Sequence, residues 1–199
     1  MRGRKRAYFF TSVKLFLREN KFFVLIGCLC LILGIIAGVL AARSFGEEYY
    51  RLNFIFELQE GTYSFAKTFF FALLSGTGGC ALILLCGANR WLAIPAFFLI
   101  AFVGYRLGLG LVGCLSPSGA GGAACIVFYW LPLYLTGAAC GIYVICVVFT
   151  SLCGVRGVFS SPAAVKRVLR RCLPPFLCFA AAALLCCVIV PLAYKLIFM

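Results

Sequence analysis

From Leu107 to Val155 the chain runs 49 residues without a charged side chain, inside an apolar run that begins at Trp91 and carries one charge, Arg106. A soluble chain of this size cannot hide that much uncharged length, whereas a bilayer requires it. About 20 apolar residues cross the hydrocarbon core once, so the run holds two crossings. Ser116-Pro117-Ser118-Gly119-Ala120-Gly121-Gly122, a cluster of turn-formers, marks the break between them. The expectation is a helical hairpin, Trp91–Leu115 and Ala123–Cys153, with a lone arginine in its first leg.

The same reading extends along the chain. Residues 1–21 form a cytoplasmic basic amphipathic arm with Arg2, Arg4, Lys5, Arg6, Lys14, Arg18 and Lys21. As a helix it puts Phe9, Phe10, Val13, Phe16 and Leu17 on one face and Lys14, Arg18 and Lys21 beside them. That suits a helix lying on an anionic membrane surface or a plain basic flank that orients the first span. Residues 22–199 are read as a five-helix membrane domain with spans at about 22–42, 68–89, 91–115, 123–153 and 172–194. The first is too long for the apolar region of a signal peptide and lacks a small-residue cleavage site, so it is read as retained. Between the spans lie an outer loop, 43–67, and an inner basic loop, 154–171, with a surface helix from Pro162. The fifth span is entered through Pro174-Pro175.

The fold class expected is therefore all-α, a polytopic helical membrane protein with five transmembrane helices, N-in and C-out. Orientation follows from the basic residues. With the N-terminus inside, the inner face collects 13 of the 18 Lys and Arg, the outer face receives Arg43, Arg51, Lys67 and Lys195, and Arg106 stays within the membrane. The formal net charge of +13 is thus a topology signal; nucleic-acid binding would want a soluble basic face that this pattern does not offer.

Chemistry is limited by what is missing. The chain has no histidine and no aspartate, and its five acids are Glu19, Glu47, Glu48, Glu57 and Glu60. No triad, His-based metal site or His proton relay can be assembled, so no enzyme, cofactor or metal is expected. Most of the 13 cysteines sit in apolar runs with no Cys-x-x-Cys spacing, which reads them as small buried hydrophobes.

Two features remain as sites. The loop 43–67 is too apolar for a free linker, and Glu47, Glu48, Tyr49, Tyr50, Phe54, Phe56, Glu57 and Glu60 are its candidate partner-binding residues. Arg106 is an intramembrane charge costing about 2.5–3.5 kcal/mol on insertion scales, and such residues are functional by default. It either pairs with one of the loop glutamates or snorkels to lipid phosphate. Helix packing is assigned to Gly34, Gly38, Gly104, Gly108, Gly110, Pro95 and Pro132. Gly34–Gly38, Gly104–Gly108 and Gly137–Gly141 fit the Gly-x-x-x-Gly pattern, although 21 glycines yield about two such pairs by chance.

The order of motifs carries a resemblance. Arg18-Glu19-Asn20 precedes a first span with Gly34-Ile-Ile-Ala-Gly38. After the loop and second span come Ala93-Ile94-Pro95, Gly104-Tyr105-Arg106-Leu107-Gly108-Leu109-Gly110, and Leu131-Pro132 in the fourth helix. Through these short motifs nearly the whole chain resembles the stage II sporulation protein M family, five-span membrane proteins of endospore-forming bacteria. The resemblance implies a non-catalytic scaffold in the bacterial cytoplasmic membrane, specifically the mother-cell engulfing membrane. It would localise cell-wall (peptidoglycan) hydrolases, an amidase/endopeptidase and a lytic transglycosylase, on the outer face during engulfment. The alternative from another class is a transporter or permease component for an anion or lipid, with Arg106 and the glycine-rich third helix lining the path.

Overall fold

The computed structural model describes residues 14–44, 63–151 and 161–198. They form α1 (Lys21–Ser44), α2 (Phe65–Cys86), a 3-10 turn (Arg90–Leu92), α3 (Ala93–Cys125), a π turn (Ile126–Trp130), α4 (Leu131–Ser151) and α5 (Pro162–Phe198), with no strand among the described residues. Five helical segments are long and apolar enough to cross a membrane. The all-α, five-span reading stands. Of the segments expected from the sequence, most of the outer loop and the first part of both the basic arm and the inner loop lie outside the described residues.

Packing shows why these helices need a bilayer. α1 buries only Gly27, Gly34, Gly38 and Ala42, a stripe at helical spacing, and exposes Phe22, Leu25, Leu29, Ile32, Leu33, Ile36 and Leu40. Its sidedness is one of size, not polarity: small residues meet protein and large ones meet the surroundings. That arrangement is costly in water and ordinary in lipid, where burial of bulk supplies no driving force and close approach does. α4 is the central helix. The Ile126–Thr150 span, which is the π turn and α4, is 56% buried, against 17% for α1 and for α2, and Val144, Ile145, Cys146 and Val148 are fully enclosed.

The helices alternate in direction. α1 and α3 run parallel, since Gly34 meets Ala101 and Gly38 meets Tyr105. α4 runs against α3, with Ile100 on Gly141 and Trp130 on Gly110. α5 runs against α2 and α4, with Phe179 seated on both Gly76 and Gly137 and Tyr63 reaching Cys187. Ser44, at the end of α1, and Phe65, at the start of α2, therefore face the same end of the bundle.

Two boundaries differ from the sequence reading. The backbone stays helical through Ser116–Gly122, where turn-formers predict a break, and α3 extends to Cys125. The reversal falls between Gly110 and Trp130, an interval holding Pro117, Gly119, Gly121, Gly122 and the π turn, which are the features that bend helices. The surface helix from Pro162 and the fifth span, expected to start at about 172, are one helix, Pro162–Phe198. Ser161 caps it, its Oγ accepting from the Ala164 N–H at 3.2 Å, and Pro162 occupies the first helical position, where no N–H is needed.

Three prolines lie inside α5. Pro174 and Pro175 remove the N–H groups that would bond the carbonyls of Arg170 and Arg171. Those two residues are exposed, beside exposed Lys166 and Arg167, so water or headgroups can serve them. On the opposite face Val168, Cys172, Phe179, Ala183, Cys186, Cys187 and Val190 continue one buried stripe into the bundle. The amphipathic start thus runs into the span without a joint.

Before α1, residues 14–19 are helical and Phe16 stacks on Tyr143 of α4 at 5.1 Å. Asn20 is buried there, its Nδ2 donating to the Phe16 carbonyl at 2.9 Å. The end of the arm is thereby pinned to the bundle by an aromatic contact, while Lys14, Leu15, Leu17 and Arg18 stay exposed.

Candidate functional site

Arg106 projects from α3 into the space between α2 and α4. Its guanidinium carbon lies 5.5 Å from the ring centre of Phe71 and 5.7 Å from that of Tyr134. Both fall within the range of cation–π attraction, worth about 0.5–1 kcal/mol when exposed and about 2 when desolvated. The rings thus offset part of the cost of a charge at this depth. No ion pair to Arg106 forms among the described residues. Their only acid, Glu19, precedes α1, whose Phe23 stacks on Phe97. Phe97 stands nine residues before Arg106 on α3, about 14 Å at helical rise. The four loop glutamates, Glu47, Glu48, Glu57 and Glu60, and with them Tyr49, Tyr50, Phe54 and Phe56, lie outside the described residues.

What holds the aromatic partners in place is legible in the local sequence. Pro132 would thrust its ring at the carbonyl four residues back. The turn ahead of it opens to a π turn, the Leu131 N–H bonding the Ile126 carbonyl. Trp130, the last residue of that turn, lies over Gly110 and stacks on Tyr134 at 4.9 Å. Gly110 is thus the floor for an indole, and the indole backs the ring that faces Arg106. Pro95, by contrast, sits in the first turn of α3 and is exposed, a position that proline tolerates.

Arg106 stands at one end of a partly open cleft of about 340 Å³ bounded by α2, α3, α4 and α5. Ile83, Ile100 and Gly141 meet at the other end. From Ser75 to Ile83 on α2 the cleft runs about 12 Å. Glycines make the room: Gly76, Gly78, Gly79, Gly137 and Gly141 all line it, and a methyl group added at Gly78 or Gly79 would meet nothing within 4 Å. Phe179 closes one side, wedged against Gly76 and Gly137. The polar groups in the lining are Arg106, the Tyr134 phenol and the Ser75 hydroxyl, which donates to the Ala72 carbonyl at 3.0 Å.

The remaining glycines do something else. A methyl group at Gly34 or Gly38 would strike the carbonyls of Ala101 and Tyr105; one at Gly104 or Gly108 would strike those of Leu31 and Ile35. Two of the three Gly-x-x-x-Gly pairs are therefore each other's partners within one chain, backbone against backbone. The third, Gly137–Gly141, receives side chains, Phe179 and Ile100.

The residues that sequence reading missed are Phe71, Tyr134, Gly76, Gly79 and Phe179. One local signal was available: Ser75-Gly76-Thr77-Gly78-Gly79 is a run of small residues in the middle of a span, where nothing but space or a close neighbour calls for them. Twelve cysteines are free thiols, and no group of metal-binding residues occurs among the described residues.

The fold and the arginine within its third span together define a class, a multi-pass helical membrane protein. Comparison with protein-family models, curated proteins and solved structures finds no match for this chain.

Proposed function

We propose that this protein is a non-catalytic membrane scaffold that anchors or localises cell-wall hydrolases at the outer face of the bacterial cytoplasmic membrane. An amidase/endopeptidase and a lytic transglycosylase are the partners, as in forespore engulfment. The observation that carries the reading is the way the bundle frames the 43–67 segment. α1 delivers the chain to one end and α2 takes it back from that same end. At the return point Tyr63 donates to the Cys187 carbonyl of α5 at 3.0 Å. A segment tethered at both ends to a rigid body, rich in aromatic and acidic residues, is a sound handle for a partner. The α1–α3 backbone lock supplies the rigidity. Lys14, Arg18, Lys21, Lys166, Arg167, Arg170 and Arg171 stand toward the opposite end, which by the positive-inside rule supports a cytosolic face there and an outward-facing segment. Residue chemistry is in keeping with this: without His or Asp the chain supplies no His-based or zinc hydrolytic centre of its own.

The test is co-purification. Hydrolases should accompany the wild type and be lost when residues 47–60 are deleted, with the deletion variant still inserted in the membrane. Recovery of the same hydrolases with the deletion variant would end this reading. A transport component for an anion or lipid is the second reading, favoured by the Arg106 cleft. Flux in liposomes holding this protein alone would reverse the order.

A further inference from the structure

We infer that the cleft between α2, α3, α4 and α5 binds an anionic amphiphile, its carboxylate or phosphate group on Arg106 and its acyl chain along the glycine-lined floor. The inference stands whether the body is a scaffold or a carrier, because its test reads binding. Charge complementarity argues for the anion. Phe71 and Tyr134 approach the guanidinium with their ring faces, which offer no lone pair to its five N–H donors. Among the described residues Arg106 makes no hydrogen bond and no ion pair, so those donors are open to oxygen ligands. Bidentate pairing with a carboxylate or phosphate is the contact a guanidinium is shaped for.

The rest of the cleft argues for a chain. Beyond Arg106 the lining is Gly76, Gly79, Ile83, Ile100 and Phe179, and the volume of about 340 Å³ falls within the roughly 300–1,000 Å³ of small-molecule sites. A water-soluble anion would leave that apolar length empty. The rim argues for lipid as the source: Ser75, Leu82 and Phe102 line the cleft and are also exposed on the flank that hydrocarbon covers. A ligand can therefore slide in sideways from the bilayer. An amphiphile meets both halves of the site, oxygen for the cation and methylene for the glycines.

The experiment uses the full chain purified in a neutral detergent, with equilibrium binding of oleate, of lysophosphatidylglycerol and of inorganic phosphate. The wild type should bind oleate, lysophosphatidylglycerol or both saturably, and the arm that binds names the head group. Inorganic phosphate should not compete. Arg106→Gln should weaken binding at least about tenfold, the loss expected when a charged hydrogen-bonding partner is removed. A methyl group at Gly79 meets nothing within 4 Å, so Gly79→Leu should fold with a melting temperature unchanged or higher and, growing from a residue that lines the cleft, should also weaken binding at least about tenfold. The inference fails if the wild type binds neither amphiphile, as expected if a loop glutamate or a partner's carboxylate already holds Arg106. It fails equally if inorganic phosphate displaces the bound amphiphile, or if Gly79→Leu folds and binds like the wild type.

Discussion

The hydroxyl of Tyr63 donates to the carbonyl of Cys187 at 3.0 Å, and Cys187 is the residue four before Pro191 in α5. A proline has no N–H, so that carbonyl loses its usual helical donor. In hydrocarbon there is no water to replace it. A side chain 124 positions away makes good the deficit and in doing so ties the segment before α2 to α5. Tyr63→Phe should therefore destabilise the protein by about 1–2 kcal/mol, read as a lower melting temperature in detergent. In a Pro191→Ala background, where the helix supplies its own donor, the same change should cost far less. Equal losses in both backgrounds would contradict the assignment.

The α1–α3 lock makes glycine substitutions position-dependent. Gly34→Ala and Gly104→Ala each force backbone apart and should cost about 1–3 kcal/mol in denaturant unfolding. Gly78→Ala has room, so the ordinary helix preference for alanine should leave stability unchanged or raise it by up to about 1 kcal/mol.

Arg106 and Phe71 are coupled through charge and ring. Phe71→Leu should cost about 0.5–2 kcal/mol more in the wild type than in an Arg106→Gln background, measured as a double-mutant cycle on thermal unfolding. Additive losses would show that Phe71 is packing alone.

Thiol reactivity should follow exposure to water, not to lipid. Cys114 is fully buried, so it should stay unlabelled in the folded protein despite lying close to the α3–α4 reversal. Cys28 and Cys178 are exposed on the bundle surface, where hydrocarbon disfavours the thiolate that a maleimide needs, so they should label slowly in a bilayer and readily once water reaches that flank in detergent. Mass spectrometry of labelled peptides distinguishes them.

Length and hydropathy by themselves determined that this chain is all-helical and crosses a membrane five times. A bilayer tests each stretch of chain for backbone self-sufficiency and lack of charge, and that test is local. Element limits were less legible where two local signals compete. Pro174-Pro175 reads as an opening and Ser116–Gly122 as a turn, yet helical backbone runs through both. What only the tertiary structure decided is which helix meets which. Gly34–Gly38 and Gly137–Gly141 are the same motif on paper, yet one locks backbone to backbone while the other seats Phe179 and Ile100. Arg106 was visible as an oddity, but its rings come from Phe71, 35 positions earlier, and Tyr134, 28 later. Within the spans, Arg106 apart, the helix faces are apolar, so no polar stripe announces a partner. The choice rests on shape, the match of one small-residue groove to another backbone, and that match exists only once the helices are side by side.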